Sequence, residues 1–311
     1  MKNKIALSVA LLLFAFTSIF LFLNASGGQK EDSKGSELPR EYKITMPPVP
    51  NKIVFAGEEF PTYDFEVKER AEREFLVNTY WHSAAILYLK RSGRWFPVIE
   101  PILKKYNVPD DFKYLCVAES GLTNAISPAS AIGFWQFIEP TGKKFGLEIN
   151  KEIDERYHIE KATEAACKYI LSAYSKYNSW SAAAASYNVG FDGIEKQFNR
   201  QKSNNYFNLV FNEETSRYLF RIAAYKYLFE DPEKYGFFLD KDEYYKPIPT
   251  FDVKVVTSIE SIADFAKTYG INYKIIKYFN PWIRDNYLSN KAGNEYIIKI
   301  PEPGSIKIIA E

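Results

Sequence analysis

A glutamate at the end of a predicted apolar helix face is the first candidate for chemistry in this 311-residue sequence. Phe112, Leu115 and Cys116 stand at positions i, i+3 and i+4 of one stripe, and the next position of that stripe, i+7, is Glu119. Burial disfavours the charged form of a carboxyl group, so we expect a raised pKa for Glu119. A carboxyl group that keeps its proton near neutrality can serve as a general acid. The stripe alone leaves an alternative open, in which the Glu119 side chain rotates outward at the helix end or pairs with an arginine.

Other chemistries lack the residues that they need. The histidines and cysteines are too widely separated to give a ligand spacing for zinc: His82, His158, Cys116 and Cys167. We therefore predict no metal site and no cofactor. Ser120 has no G-x-S-x-G context, so it is interpreted as a helix-end residue and not as a nucleophile. The cysteines are interpreted as buried thiols, with pairing in an oxidising compartment as the alternative.

The region around Glu119 is predicted to be mostly α-helical. Pro109 and the two aspartates after it mark a helix start, and this helix is expected to run to Ser120. A longer helix is predicted over 63–91, closed by Ser92-Gly93. Further helical patterns cover 95–106, 159–177, 180–187 and 214–229.

The first residues predict export from the cytoplasm. A Met-Lys-Asn-Lys start precedes an uncharged apolar run over 5–23, which is long enough to span a bilayer. Small residues at 25–28 also fit cleavage by a signal peptidase, so residues 1–24 are either a signal peptide or a membrane anchor. Residues 25–50 are predicted to be a flexible tether. We expect a periplasmic or cell-envelope location, with a membrane contact through 5–23 if they are uncleaved.

Composition narrows the classes of partner. The formal net charge of +1 leaves no overall field to attract nucleic acid, which we therefore exclude. The aromatic share of 17% exceeds what packing usually requires, and this favours flat surfaces for sugars beside the aromatic core.

Four segments that follow one another along the chain carry a resemblance to a known family. They are Glu119-Ser120-Gly121, Gly133-Phe134-Trp135-Gln136, Ala185-Ser186-Tyr187-Asn188-Val189-Gly190 and Glu214-Thr215-Ser216-Arg217-Tyr218. Together they resemble the lytic transglycosylases with a soluble-type catalytic domain, which are related in fold to goose-type lysozyme. The segment with Trp135 looks most like the membrane-bound type D. His158 and Ser186 stand where Asp and Ala are commoner in the family, and this lowers the precision with which contacts can be assigned.

The resemblance implies a fold and an activity. The fold is a lysozyme-like helical domain over 95–240, preceded by a helical extension over 51–94. The implied activity is cleavage of the β-1,4 bond between N-acetylmuramic acid and N-acetylglucosamine in peptidoglycan glycan strands, with formation of 1,6-anhydro ends. Glu119 would act as both acid and base.

Two alternatives to this activity remain open. A lysozyme-like hydrolase would usually need a second carboxylate, for which Glu139, Asp154 and Glu155 are the candidates. A noncatalytic peptidoglycan-binding protein would retain the cleft without the reaction. Endo or exo cleavage and the oligomeric state are not determined by the sequence.

The resemblance also implies contacts with substrate. Gly133 is expected to let the backbone approach the ligand, and Gln136 to donate an amide hydrogen bond to a sugar. Tyr187 is expected either to direct its hydroxyl toward Glu119 or to stack on a sugar ring, and Tyr218 to belong to the site. The remaining predicted contacts are Ser120, Ser127, Trp135 and Asn188, and a buried Trp135 in a tight turn is the alternative at that position.

Residues 250–303 are predicted to form a small module of their own. A strand over 251–256, helices over 259–269 and 273–279, and a strand over 296–300 give a β-α-α-β order. This resembles a divergent LysM domain, a carbohydrate-binding unit, although the usual Gly-Asp-Thr-Leu entry is absent. Tethering such a module would raise the local concentration of substrate. A structural cap that binds nothing is the alternative.

Overall fold

The structure is a computed structural model that describes residues 44–307. The predicted segment 1–24 and most of the predicted tether over 25–50 lie outside the described residues. Across 44–307 we find no helix with the length and apolar character needed to cross a membrane.

A short hairpin and two long helices open the described part. Strands β1 (Val54–Phe55) and β2 (Glu58–Glu59) pair antiparallel. Helix α1 (Phe65–Tyr80) begins after Asp64, whose carboxylate accepts hydrogen bonds from two backbone N–H groups of the first turn. Helix α2 (His82–Lys105) follows directly.

The predicted helix end at Ser92-Gly93 is wrong. The break falls at Trp81, and α2 continues through Gly93 and two prolines. A Cβ atom on Gly93 would lie 2.9 Å from the Cβ atom of Tyr244, so this glycine allows a close approach between segments and does not stop the helix. The predicted boundary between residues 94 and 95 consequently falls inside one continuous helix.

The candidate helix and its neighbours form the centre of the molecule. A 3₁₀ turn at Asp110–Phe112 leads into α3 (Lys113–Ser120), which ends at Gly121. The helices that follow are α4 (Glu139–Lys144), α5 (Ile159–Tyr177), α6 (Trp180–Val189), α7 (Phe191–Gln201) and α8 (Glu213–Glu230). The predicted bounds of α5 are confirmed. Helix α7 was not predicted, although Phe191, Ile194 and Phe198 recur along it at helical spacing, so the signal was available in the sequence.

One hydrophobic core joins these helices to the N-terminal hairpin. Its fully buried side chains include Phe55 from the hairpin, Phe112 from the 3₁₀ turn, Leu115 from α3 and Tyr218 from α8. Cys116 and Cys167 are buried, and both are free thiols, as the sequence analysis favoured. The predicted fold class, mainly helical with a small C-terminal β-α-α-β unit, is confirmed.

The C-terminal module has the predicted element order. Strands β3 (Thr250–Val255) and β4 (Tyr296–Pro301) pair antiparallel, with Phe251 opposite Ile300. Helices α9 (Ile262–Thr268) and α10 (Tyr273–Phe279) lie between them in the chain.

The module is docked onto the helical part. Its core includes Ile153 and Tyr157 from the segment before α5, beside its own Trp282. The backbone N–H of Asp154 donates to the carbonyl oxygen of Trp282 at 2.9 Å, and the guanidinium of Arg284 lies 4.0 Å from the centre of the Tyr157 ring. In this structure the module is therefore packed against the helical part and is not a separate unit on a free tether.

Candidate active site

The carboxyl group of Glu119 lies in the last turn of α3, where α8 meets that helix. The hydroxyl of Tyr218, which is 2% exposed, donates a hydrogen bond to Oε1 of Glu119. Burial raises the pKa of Glu119 to about 7, although the hydrogen bond from Tyr218 opposes the shift. The expectation of an acid that holds its proton near neutrality is therefore met by the geometry.

The nearby ionic groups do not cancel this effect. The negative charge of Glu214 raises the pKa of Glu119, and the positive charge of Arg221 lowers it. Arg221 is itself engaged, because its Nη1 donates to Oε1 of Glu214 at 3.0 Å. Glu119 thus has a guanidinium group in its surroundings but forms no ion pair with it among the described residues.

A buried carboxylate that was not predicted holds α8 in place. Glu74 of α1 is 0% exposed, and its Oε1 accepts from Nε of Arg217 at 2.7 Å. Nε of Arg221 lies 3.5 Å from the other oxygen of Glu74. The signal was available in the sequence, because Glu74 stands on one helix face with the apolar residues Val67, Ala71 and Phe75.

Gln136 uses both of its amide hydrogens inside the protein. Its Nε2 donates to the carbonyl oxygens of Ala125 at 3.0 Å and Gly133 at 2.8 Å. Both amide hydrogens are thus satisfied within the chain, and the predicted donation to a sugar stays a prediction. The amide oxygen of Gln136 is the group that remains for a ligand, as an acceptor.

Gly133 and Trp135 serve packing in place of the predicted ligand contacts. Gly133 has a φ of +86°, and a Cβ atom there would lie 1.9 Å from the carbonyl oxygen of Arg156, so the close approach is between two parts of the chain. The side chain of Trp135 is 0% exposed, and its Nε1–H donates to Oγ1 of Thr163 at 2.8 Å. A direct contact between the Trp135 side chain and substrate is excluded by this burial.

Tyr187 lies beside the site but does not bond to Glu119. Its hydroxyl donates to the carbonyl oxygen of Trp135 at 2.8 Å, and its ring packs on Phe137 and Tyr169. Burial, and then the charge of Glu119, raise the pKa of Tyr187. The tyrosine that contacts Glu119 is Tyr218, and Tyr187 instead supports the Gly133–Gln136 segment.

The remaining predicted contacts are held by internal hydrogen bonds and stay partly exposed. Oδ1 of Asn188 accepts from the hydroxyl of Thr215 at 2.8 Å, which joins the third and fourth family-like segments. The hydroxyl of Ser120 donates to the carbonyl oxygen of Cys116 at 3.3 Å, and that of Ser127 accepts from the backbone N–H of Ala131 at 3.0 Å.

The carboxylates considered as a second catalytic group are all paired elsewhere. Glu139 binds Lys143 on the surface, Asp154 forms a buried ion pair with Arg156 at 2.7 Å, and Glu155 accepts from the backbone N–H of Glu148 at 2.7 Å. Within residues 44–307 no cluster of three or more His, Cys, Asp or Glu side chains could hold a metal ion.

Two parts of the chain match known protein families. Residues 96–210 match the family described as the transglycosylase SLT domain, and residues 251–304 match the soluble lytic transglycosylase C-terminal LysM-like domain. The chain is therefore similar to SLT transglycosylase domains over 96–210, where three of the four family-like segments lie, and to the LysM-like domain over 251–304, where the sequence predicted a separate module.

The chain is also similar to two curated proteins over most of its length. The chain is 24% identical over 286 residues to the membrane-bound lytic murein transglycosylase D of Escherichia coli strain K12, and equally to that of strain O6:H1. The alignment covers 88% of this chain and 61% of each relative. The chain thus spans less than two thirds of the length of these relatives.

Proposed function

We propose that this protein is a peptidoglycan lytic transglycosylase. It cleaves the β-1,4 bond between N-acetylmuramic acid and N-acetylglucosamine and leaves a 1,6-anhydro end on the muramic acid. The observation that carries the proposal is the Glu119 carboxyl group, whose pKa is raised to about 7 by burial, in a domain similar to lytic transglycosylases. The matched domains and the similarity to the two murein transglycosylases support the substrate class.

Glu119 acts first as the acid. Its proton passes to the bridging oxygen as the glycosidic bond breaks, and the acetamido group of the substrate stabilises the positive charge that develops at C1. The Tyr218 hydroxyl positions the carboxyl group, because it is bonded to Oε1 from a rigid, buried location.

Glu119 then acts as the base. The carboxylate takes the proton from the muramic C6 hydroxyl, whose oxygen closes onto C1 to form the anhydro ring, and the acid is restored. This cycle needs one carboxylate. A hydrolase of the lysozyme type would use a second one, and the candidates for that role are engaged in internal pairs. Glu214 is likewise held by Arg221.

We assign the cleft around Glu119 to glycan binding. The groups offered to a sugar are the amide oxygen of Gln136 and the partly exposed side chains of Ser120, Ser127, Tyr187 and Asn188. The LysM-like module is proposed to bind glycan as well, next to the catalytic domain on which it is docked. An envelope location, with residues 5–23 acting as a signal or anchor, fits this substrate.

Replacing Glu119 by Gln tests the proposal. Purified sacculi are incubated with the wild-type protein, with Glu119→Gln and with Glu139→Gln, and the release of soluble glycan fragments is measured. We expect a loss of about 10²- to 10⁴-fold for Glu119→Gln, which is the contribution that general acid catalysis typically makes. The surface control Glu139→Gln should retain full release. Release that is unchanged in Glu119→Gln would refute the catalytic assignment.

A further inference from the structure

A cavity of about 480 Å³ lies where the LysM-like module meets the helical part. Its walls come from α2, from the segment Leu122–Asn124 that follows Glu119-Ser120-Gly121, from residues 157–160 and from the module. Neither Glu119 nor Tyr218 lines it, so it is distinct from the candidate active site. Its volume is that of a pocket for a small organic ligand.

Two arginines on the cavity wall form no ion pair with a carboxylate among the described residues. Nη1 of Arg91 donates to the carbonyl oxygen of Gly121 at 2.9 Å. Arg94 donates through Nε to the carbonyl oxygen of Lys246 at 3.0 Å and through Nη1 to the hydroxyl of Tyr278 at 2.8 Å. Both arginines are partly exposed residues, and within residues 44–307 Nη2 of neither one donates a hydrogen bond. A guanidinium fork matches the two oxygens of a carboxylate.

The other charges of the cavity do not neutralise the arginines. Lys277 and Lys299 also line it, whereas Glu160 is the one carboxylate among the lining residues. Glu160 lies 3.2 Å from Nζ of Lys299 and so is already paired. Nζ of Lys277 is held by backbone carbonyl oxygens. The cavity therefore carries an excess of positive charge and selects for an anion.

Aromatic rings share the wall with these cations. Trp95, Tyr245 and Tyr278 line the cavity, and the two tyrosines are 38% and 53% exposed. Flat rings pack against amide planes and short apolar side chains, while the arginines bind carboxylates. A glycan of N-acetylated sugars offers no free carboxylate once its muramic acid is amidated by a peptide. A short peptide with free carboxylates offers both kinds of group.

We propose that this cavity binds an acidic peptide, with Arg91 and Arg94 as the carboxylate-binding residues. If the proposed function holds, the peptide is the stem peptide of the glycan strand. A peptide in this cavity lies against Leu122–Asn124, directly after the helix end that carries Glu119. The protein would then prefer strands that still carry their peptides over bare glycan.

The test uses binding, so that it does not depend on catalysis. The full-length chain with Glu119→Gln is titrated calorimetrically with a free stem tetrapeptide and with the same peptide after all its carboxylates are converted to amides. We expect the acid form to bind at least about tenfold more tightly than the amide form. Adding Arg94→Gln should weaken binding of the acid form at least about tenfold, whereas adding Arg200→Gln, an exposed arginine outside the cavity, should leave it unchanged.

Three results would overturn the proposal. They are equal binding of the acid and amide peptides, no measurable binding of either, or equal losses from Arg94→Gln and Arg200→Gln. The comparison of the two peptides needs no substitution at the cavity, so misfolding of the Arg94 variant cannot produce it. Failure of the wild-type protein to release glycan fragments from intact sacculi, whose strands carry their peptides, would contradict the proposed function and leave this peptide-binding result standing.

Discussion

At the scale of single residues, the proposed chemistry requires that Glu119 keep its proton near neutrality and still be reached by substrate. Burial raises its pKa to about 7, and the Tyr218 hydroxyl holds one of its oxygens and moderates that shift. Arg221 does not pull the proton away, because its guanidinium is bonded to Glu214. Glu119 is thereby poised between acid and base, which is what a one-carboxylate cycle requires.

The raised pKa predicts how stability changes in Glu119→Gln. The folded-state pKa lies above the usual 4.5, so the folded protein loses stability as pH rises through the range 4.5 to 7, where the unfolded chain ionises first. The amide variant avoids this loss. We expect it to be more stable than wild type by up to about 3 kcal/mol at pH 8, and equally stable at pH 4. Urea unfolding at both values checks this, and a gain that is the same at pH 4 and pH 8 would contradict it.

The hydrogen bond from Tyr218 predicts a change in the pH profile. In wild type, kcat/KM on soluble glycan should fall as pH rises through about 7, because Glu119 loses the proton that it donates. Tyr218→Phe removes an interaction that lowers this pKa, so the fall should move to higher pH, together with a loss of rate. Tyr225→Phe, on the same helix, serves as the control. A profile in Tyr218→Phe that falls at the wild-type pH would show that the hydroxyl does not tune Glu119.

At the scale of the elements, α8 is positioned by a buried ionic contact with α1. Glu74 is buried between the two helices and binds Arg217, one position before Tyr218. We expect Glu74→Gln to destabilise the protein by about 3 kcal/mol, because the change removes the buried carboxylate that Arg217 and Arg221 share and leaves each arginine only its exposed partner, Glu213 or Glu214. Glu72→Gln, which removes a carboxylate with a 40% exposed side chain from the same helix, should cost less than about 1 kcal/mol. Similar unfolding midpoints for the two variants would contradict the role of Glu74.

Gly133 gives a second prediction at this scale. Alanine there combines a φ of +86° with a contact at 1.9 Å to the carbonyl oxygen of Arg156, so the segment that supports Gln136 must shift. Gly236 has a φ of +85° and open space around its added Cβ atom, which makes Gly236→Ala a matched control for the backbone strain alone. We expect about 1 kcal/mol of destabilisation for the control and several times more for Gly133→Ala. Equal thermal shifts would show that the contact with Arg156 is not the constraint.

The elements show what the sequence could and could not predict. The sequence pattern predicted α5 and α10 with their observed bounds, and α5 has the extended buried face that such a pattern indicates, whereas α10 buries Ile276 alone. The break at Trp81 was missed, since it depends on how two helices pack and not on a Gly or Pro signal. Gly93 was misinterpreted for the opposite reason, because its role is a close contact with a segment about 150 residues away.

The candidate site likewise contains features that local sequence predicts and features that depend on distant segments. Glu119 was predicted because its position on an apolar stripe is local information. The donor set of Gln136 and the burial of Trp135 depend on partners that the chain brings together only on folding, at Ala125 and Thr163. Spacing within a segment carries no record of such partners, so the sequence did not predict these internal contacts.

At the scale of the whole molecule, the LysM-like module shares its core with the helical part. Ile153 and Tyr157 are buried only because Trp282 and its neighbours cover them. We expect removal of residues 250–311 to lower the thermal midpoint of the remaining chain by several degrees and to reduce turnover of short soluble glycans, since newly exposed apolar surface destabilises the segment next to α5. A truncated protein with an unchanged midpoint and unchanged turnover would show that the module is an independent binding unit.

The central claim is that Glu119 directs the muramic C6 hydroxyl, and not water, to attack C1 after the glycosidic bond breaks. The chemistry of the product tests this claim most directly. Sacculi digested by the full-length protein are analysed by mass spectrometry. The account predicts muropeptides with 1,6-anhydro-muramic ends, each one water lighter than its hydrolytic counterpart, and none of them with Glu119→Gln. Muropeptides with reducing ends would contradict the account and assign the protein to the hydrolases.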